Sequence, residues 1–238
     1  MLKRALKKAL QYRAAAETAV VREMLDRVQK ENAGRPFCPP WEGDLIHFLI
    51  SRNRYSQCLE TGFGTGSTAL YMLHASDRWG GRVTSIDWSA DNFNHIGKEI
   101  MSRSKMSERH TLIEEPSLGP MARLLLDGAA FDFVFIDGWK TFDYLAYEVF
   151  IINRLLRTGG CLMFDDTYLP AVQKIISMLV RHYGYQEIDY RQHGQPVALR
   201  LFQMLTTRRL SRPYRAFKKT MDVADQHPTR DWTFFRRF

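Results

Sequence analysis

The chain has 238 residues, 45% hydrophobic and 25% charged, an ordinary globular composition that excludes a low-complexity or wholly disordered protein. No apolar run approaches the ~18 residues of a membrane span. Three cysteines, Cys38, Cys58 and Cys161, make neither a CxxC pair nor an even disulfide set, so a reducing, cytoplasmic setting is expected. The net charge of +8 sits at the two ends: residues 1–36 hold nine basic and four acidic side chains, 206–238 hold nine and three, and the middle is acidic by three. A nucleic acid, a membrane surface or a partner chain is therefore a question for the arms rather than for the core.

The spacing predicts a helix over 2–32. Leu2, Leu6 and Leu10 recur every four residues with Lys3, Arg4, Lys7 and Lys8 elsewhere on the turn, and Val20, Val21, Met24, Leu25 and Val28 continue an apolar stripe. Basic amphipathic starts also occur in transit peptides and membrane-surface helices; packing on the chain's own domain or on a second subunit is the simpler reading. The Pro-Phe-Cys-Pro-Pro run at 36–40 breaks this helix, and a short helix is expected around 43–50.

From Tyr55 onward short apolar runs alternate with helical segments. Strands are expected at 57–61, 82–87, 110–114, 131–137 and 161–165, and helices at 67–74, 91–104, 121–126, 142–156 and 171–183. Such alternation in ~30-residue units predicts an α/β fold with a mostly parallel, Rossmann-like sheet of seven strands covered on both faces. Two last strands, 185–190 and 197–204, have only a turn between them and are expected to form an antiparallel hairpin at the sheet edge. The division is then a helical extension over 1–40, one ligand-binding domain over 41–205 and a basic tail over 206–238. The extension and the edge hairpin suit a homodimer.

Ligands of open α/β sheets bind beyond the carboxyl ends of the strands. The first such end reads Glu60-Thr61-Gly62-Phe63-Gly64-Thr65-Gly66-Ser67-Thr68. Its glycines allow a sharp turn and a close approach to a ligand. A dinucleotide fingerprint would want glycine where Ser67 stands, and Glu60 repels a pyrophosphate but attracts a cationic ligand. Asp87 ends the second strand, where a carboxylate can accept hydrogen bonds from ribose hydroxyls, and Trp88 beside it can cover an adenine; ordinary core packing is the alternative for Trp88. Asp137 ends the fourth strand, with Lys140 three residues on as a cation or general base. Asp165 and Asp166 end the fifth. Three carboxylates on one rim repel each other unless a cation neutralises them, and hard oxygen ligands suit Mg2+ or Ca2+. The plainer alternative is a helix cap with no metal.

Together LETGFGTG, SIDW, FDFVFIDGWK and LLRTGG-LMFDD resemble class I S-adenosylmethionine (AdoMet) methyltransferases, and within them the small O-methyltransferases of the catechol and caffeoyl-CoA type. The likeness covers about 55–204. It implies that Glu60, Gly62, Gly64 and Gly66 form the AdoMet loop, with the Thr68 hydroxyl near the AdoMet carboxylate. Asp87 would bind its ribose, Trp88 would lie against the adenine and Ser117 near the adenine amine. Asp137, Asp165 and Asp166 match the metal-ligand positions, with Asp137 also beside AdoMet, and Lys140 matches the lysine that takes the proton from the acceptor hydroxyl. Asp166 stands where those enzymes usually carry asparagine, Glu114-Glu115-Pro116 replaces a small, Gly-containing stretch, and 206–238 run past the family's usual end. The resemblance implies methylation of a small-molecule hydroxyl from AdoMet, assisted by Mg2+ or another divalent cation. Three other readings stay open: an RNA methyltransferase that grips its substrate with the basic arms, an NAD oxidoreductase, which Ser67 and Glu60 disfavour, and a non-catalytic binding protein on the same fold. Trp41, Tyr144, Tyr168 and Arg191 are candidates for the acceptor pocket.

Overall fold

The computed structural model describes residues 16–88, 93, 95–188 and 213–222. Helix α1 (Ala19–Glu31) buries Val21, Leu25 and Val28, a stripe spaced by four and three residues. Helix α2 (Pro40–Asn53) is longer than the 43–50 expected, because Pro39 enters in extended backbone and Pro40 occupies the first helical turn, where its missing N–H costs nothing. The two helices are tied by the Thr18 hydroxyl, 2.7 Å from Asp44, and by an Arg22–Asp44 ion pair.

The alternating segment follows: β1 (Gln57–Thr61), α3 (Ser67–Ser76), β2 (Arg82–Ile86), α4 (His95–Ser104), β3 (His110–Ile113), α5 (Leu118–Leu126), β4 (Phe131–Ile136), α6 (Phe142–Leu155), β5 (Leu156–Phe164), α7 (Pro170–His182), β6 (Tyr185–Glu187) and β7 (Arg215–Lys219). They build a seven-stranded sheet in the order β3-β2-β1-β4-β5-β7-β6. Strands β1 to β5 are parallel, and β7 runs antiparallel to both β5 and β6. Strand β5 begins earlier than 161: Gly159 and Gly160 lie inside it, at a shift of register against β4 between Phe131 and Phe133.

Strand periodicity divides the core between the two faces. Phe133, Phe135, Cys161 and Met163 point to the side covered by α1, α2, α3 and α4, while Val134, Ile136, Leu162 and Phe164 point to the side of α5, α6 and α7. The eight side chains have no exposed surface, and each such burial contributes about 1.5–3 kcal/mol. The sheet is buried on both faces, as parallel strands require. No helix among the described residues is long and apolar enough to cross a membrane.

One strand comes from a segment where none was expected. The antiparallel partner of β6 is Arg215–Lys219, from the segment read as a basic tail; the expected partner, 197–204, lies outside the described residues, as do 1–15 and 223–238. The sheet therefore takes in residues beyond 205. Ala216 and Phe217 are fully buried, and so is Lys219. The Lys219 ammonium donates to the carbonyls of Asn153 at 2.6 Å and Leu156 at 2.9 Å. These carbonyls lie where α6 ends and β5 begins, and a cation suits a helix C-terminus.

Candidate active site

The strand order reverses at β1: β2 and β3 lie to one side of it, β4 and β5 to the other. A cavity of about 780 Å³ opens above this switch point, within the usual range for a small-molecule site. Its wall takes Gly62 and Gly64 from the loop after β1, Asp87 and Trp88 from the end of β2, Ser117 before α5, Asp137 after β4 and Asp165 after β5.

The glycine loop is fixed from three directions. Gly62 has φ +90, and a Cβ there would fall 2.4 Å from the Asp137 carbonyl oxygen, so the end of β4 leaves room only for hydrogen. The Gly64 amide donates to Asp87 Oδ2 at 2.8 Å, which joins the loop to the end of β2. The Thr65 hydroxyl donates to the Pro36 carbonyl at 2.8 Å, and the Cys38 amide donates to Ser67 Oγ at 2.8 Å. These last two bonds hold the 36–39 linker over the loop, and Pro36, Phe37, Cys38 and Pro39 line the cavity as a result. The sequence marked that linker only as a helix breaker.

Glu60 is not part of the wall. It is wholly buried beneath the loop and accepts hydrogen bonds from Thr68 Oγ1 and Ser85 Oγ, each at 2.6 Å. Burial pushes its carboxyl up to about 8, against the pull of those two hydroxyls. Within the fold Glu60 ties the first turn of α3 to β2. Gly66 precedes α3 and does not line the cavity, whereas Thr68 does.

Ser117 reaches the cavity with its hydroxyl donated to Glu148 Oε1 at 2.7 Å, while Thr61 Oγ1 lies 3.2 Å from Glu148 Oε2. Glu148, on α6, also lines the site, and burial raises its carboxyl despite the hydroxyls of Ser117 and Thr61. Only tertiary packing brings Glu148 to this wall, so no local sequence signal marked it.

The three expected metal ligands do converge. Asp137, Asp165 and Asp166 each place a carboxylate oxygen so that all three lie within 4.8 Å of one another. Burial raises Asp137, and burial with Asp137 and Asp166 nearby pushes Asp165 up to about 8. Such a set of crowded oxygen donors fits a hard divalent cation, which would relieve the repulsion that now favours protons. Asp166 holds φ +52, a left-handed conformation that aspartate tolerates.

Lys140 is beside this trio, largely covered. Its Nζ is 2.9 Å from Asp137 Oδ1, 3.3 Å from the Gly138 carbonyl and 3.8 Å from Asp166 Oδ2. Burial pulls the ammonium down, but Asp137, Asp165 and Asp166 outweigh it and hold it above the ordinary lysine range. In this arrangement Lys140 is a cation rather than a base. Tyr144 lines the cavity, Trp41 packs on the core below it, Tyr168 pairs with Asp166, and Arg191 lies outside the described residues. Trp139, 61% exposed, and Phe93 add aromatic surface to the wall.

This site belongs to a known family. The O-methyltransferase family model matches residues 11–173, so the chain is a member of the O-methyltransferase family. Among characterised proteins it is similar to tricin synthase 2 of Oryza sativa subsp. japonica, 27% identical over 154 residues, 63% of this chain and 51% of that protein; the chain spans about half the length of that relative. Its fold is similar to the solved structure of an O-methyltransferase from Bacillus cereus in complex with SAH, with TM-score 0.62, 16% identity, and 76% of this chain and 89% of that one covered. It is also similar to the SAH-bound methyltransferase PaMTH1 of Podospora anserina, with TM-score 0.63, 14% identity and coverage of 89% and 97%.

Proposed function

We propose that the chain is an AdoMet-dependent O-methyltransferase that acts on a hydroxyl of a small molecule with the help of a divalent cation. One observation carries this reading: a single cavity is lined both by the glycine loop with Asp87 and by Asp137 and Asp165 of the acid trio. Two ligands bound there would lie side by side, and holding two reactants in register supplies much of the rate in a group transfer.

When bound, AdoMet supplies an electrophilic methyl group, and a divalent ion on Asp137, Asp165 and Asp166 lowers the pKa of a hydroxyl. The chain's own residues do the rest. Asp87 holds the glycine loop and offers a carboxylate for ribose hydroxyls. Trp88, 69% exposed at the cavity wall, offers an aromatic face for a base, and Ser117 with Glu148 offers polar partners beside it. In this reading Lys140, which reaches the site through Asp137, would take the acceptor's proton once the carboxylates that hold it charged are neutralised. Its cover, with 11% of the side chain exposed, keeps bulk water away from that proton.

Support for a small acceptor comes from the site's volume of about 780 Å³, of small-molecule size, and from the acidic middle of the chain. The three free thiols fit a reducing compartment, and residence in the cytoplasm is part of this reading. The test is calorimetry with S-adenosylhomocysteine (SAH), followed by mass spectrometry of methyl transfer from AdoMet to a panel of catechols and other hydroxylated small molecules, with Mg2+ and with excess EDTA. Binding of SAH and EDTA-sensitive transfer are expected. Failure to bind SAH overturns the assignment, and full turnover in EDTA removes the metal from it.

A further inference from the structure

Among the described residues three buried side-chain polar atoms have no hydrogen-bond partner: Arg22 Nε, Asn153 Nδ2 and Glu42 Oε1. Of these residues only Glu42 lines the cavity. It is 5% exposed and lies in the first turn of α2. Sequence reading did not single it out, since a glutamate in a first helical turn normally serves the helix dipole and faces water.

The position of Glu42 is locked. Pro39 and Pro40 fix where α2 starts, and the next residue, Gly43, lies so close to Tyr71 that a Cβ would fall 2.2 Å from its ring. The helix cannot turn to carry Glu42 out to solvent. The charges facing it are Asp165, Asp137, Lys140 and Asp166. Lys140 is already engaged by Asp137. The three aspartates form a set of their own, within 4.8 Å, that does not include Glu42. A divalent ion on that set would leave Glu42 unmet.

An unpaired buried carboxylate is costly unless a donor reaches it. Burial, with Asp165 and Asp137 nearby, pushes the Glu42 carboxyl up and favours a proton on it. A donor that displaces that proton must be positive, because Lys140 is the one cation among the charges that face Glu42. It must also be compact, since it enters between the 36–39 linker and the strand ends. We propose that Glu42 receives a protonated primary amine of a ligand bound in the cavity. An ammonium meets each demand: a point charge with three rotatable donors. The inference rests on the methyltransferase reading, which provides two sources of such an amine. One is the α-ammonium of the methyl donor; the other is an amino group on the hydroxyl acceptor.

Matched probes separate these sources. SAH carries the amine, and 5′-methylthioadenosine keeps the nucleoside and sulfur without it. Dopamine carries an amine on a catechol, and 4-methylcatechol does not. Affinities of all four are measured by calorimetry on the full chain, the catechols with SAH and Mg2+ present, for wild type, Glu42→Gln and Glu42→Asp. Thermal melts check that each variant folds. Glu42→Gln is expected to weaken one amine-bearing probe by about 10-fold or more, as for loss of a charged hydrogen bond, and to leave its amine-free counterpart near wild type. Glu42→Asp is expected to retain part of the preference. Loss confined to SAH assigns the donor's amine, and loss confined to dopamine assigns the acceptor's. Equal loss within both pairs, or no loss in either, overturns the proposal. If the wild type binds neither nucleoside, the methyltransferase reading itself fails and this inference falls with it; if the wild type binds SAH and Glu42→Gln matches it on every probe, only the role of Glu42 is lost.

Discussion

The Gly64 amide nitrogen stands 2.8 Å from Asp87 Oδ2, so the loop that follows the first strand is fastened by the carboxylate that ends the second. The two motifs are 23 residues apart in sequence, and either would be misplaced without the other. Asp87 has a structural duty before any ligand arrives.

Replacing Asp87 with alanine removes both that fastening and a carboxylate on the cavity wall. Hydrogen bonds to charged groups contribute about 1.5–3 kcal/mol, so SAH affinity is expected to fall about 10- to 100-fold. Calorimetry checks this, and an unchanged affinity would contradict the placement of the nucleoside beside β2. Asp87→Asn, which keeps an acceptor for Gly64, is expected to lose less.

Lys140 separates binding from chemistry. It does not line the cavity, and its contacts are Asp137, Gly138 and Asp166. Lys140→Ala is expected to lower turnover by about 10²- to 10⁴-fold, the range for loss of a general acid–base group, while SAH affinity changes little. Turnover retained at the wild-type level would assign Lys140 a purely electrostatic place among the acids.

Glu60 predicts a pH dependence of stability. Its folded carboxyl is raised to about 8 by burial, whereas in the unfolded chain it titrates near 4.3. Between those values the folded state holds a proton that the unfolded state has lost, so stability falls as pH rises through the window and levels off above about 8. Glu60→Gln keeps the polar shape and cannot ionise. Melts at pH 5.5 and 8.5 should show the variant gaining on wild type at the higher pH. A kcal/mol corresponds to roughly 2–4 °C in a chain of this size. A constant gap between the two proteins would show that Glu60 does not titrate there.

Gly62→Ala tests the contact between the loop and β4. Positive φ and a Cβ against the Asp137 carbonyl should cost at least about 1–3 kcal/mol and displace Asp137. A lower melting temperature together with weaker SAH binding is the expected pair of results. A variant with wild-type values for both would mean that the strand ends can separate without consequence.

The parallel half of the sheet was legible in the sequence because strands buried on both faces are short, continuous apolar runs with nothing else to be. Phe131–Ile136, which ends at Asp137, is the clearest instance. The glycine loop, Asp87 and the acid trio were legible because each sits at the end of such a run. Strand β7 was not. Arg-Ala-Phe-Lys-Lys reads as a solvated basic stretch, and only the structure shows that Lys219 finds carbonyl partners inside the protein. Glu42 and Glu148 escaped notice for a related reason. Both are helical carboxylates whose partners, or whose lack of a partner, depend on elements far away in the chain. Glu60 was seen for its place at a strand end, but such an acid can face the ligand or the floor of the loop, and spacing alone does not separate the two.

Strand β7 is the last of the described strands, yet it lies between β5 and β6. Among the described strands, β5 and β6 therefore have no neighbour on that side until residue 219 has left the ribosome. An unpaired, apolar strand edge invites pairing with another chain. The order of assembly thus departs from the order of translation on the flank that supports Asp165, and a chain cut short before residue 215 would lose its solubility before it lost its glycine loop.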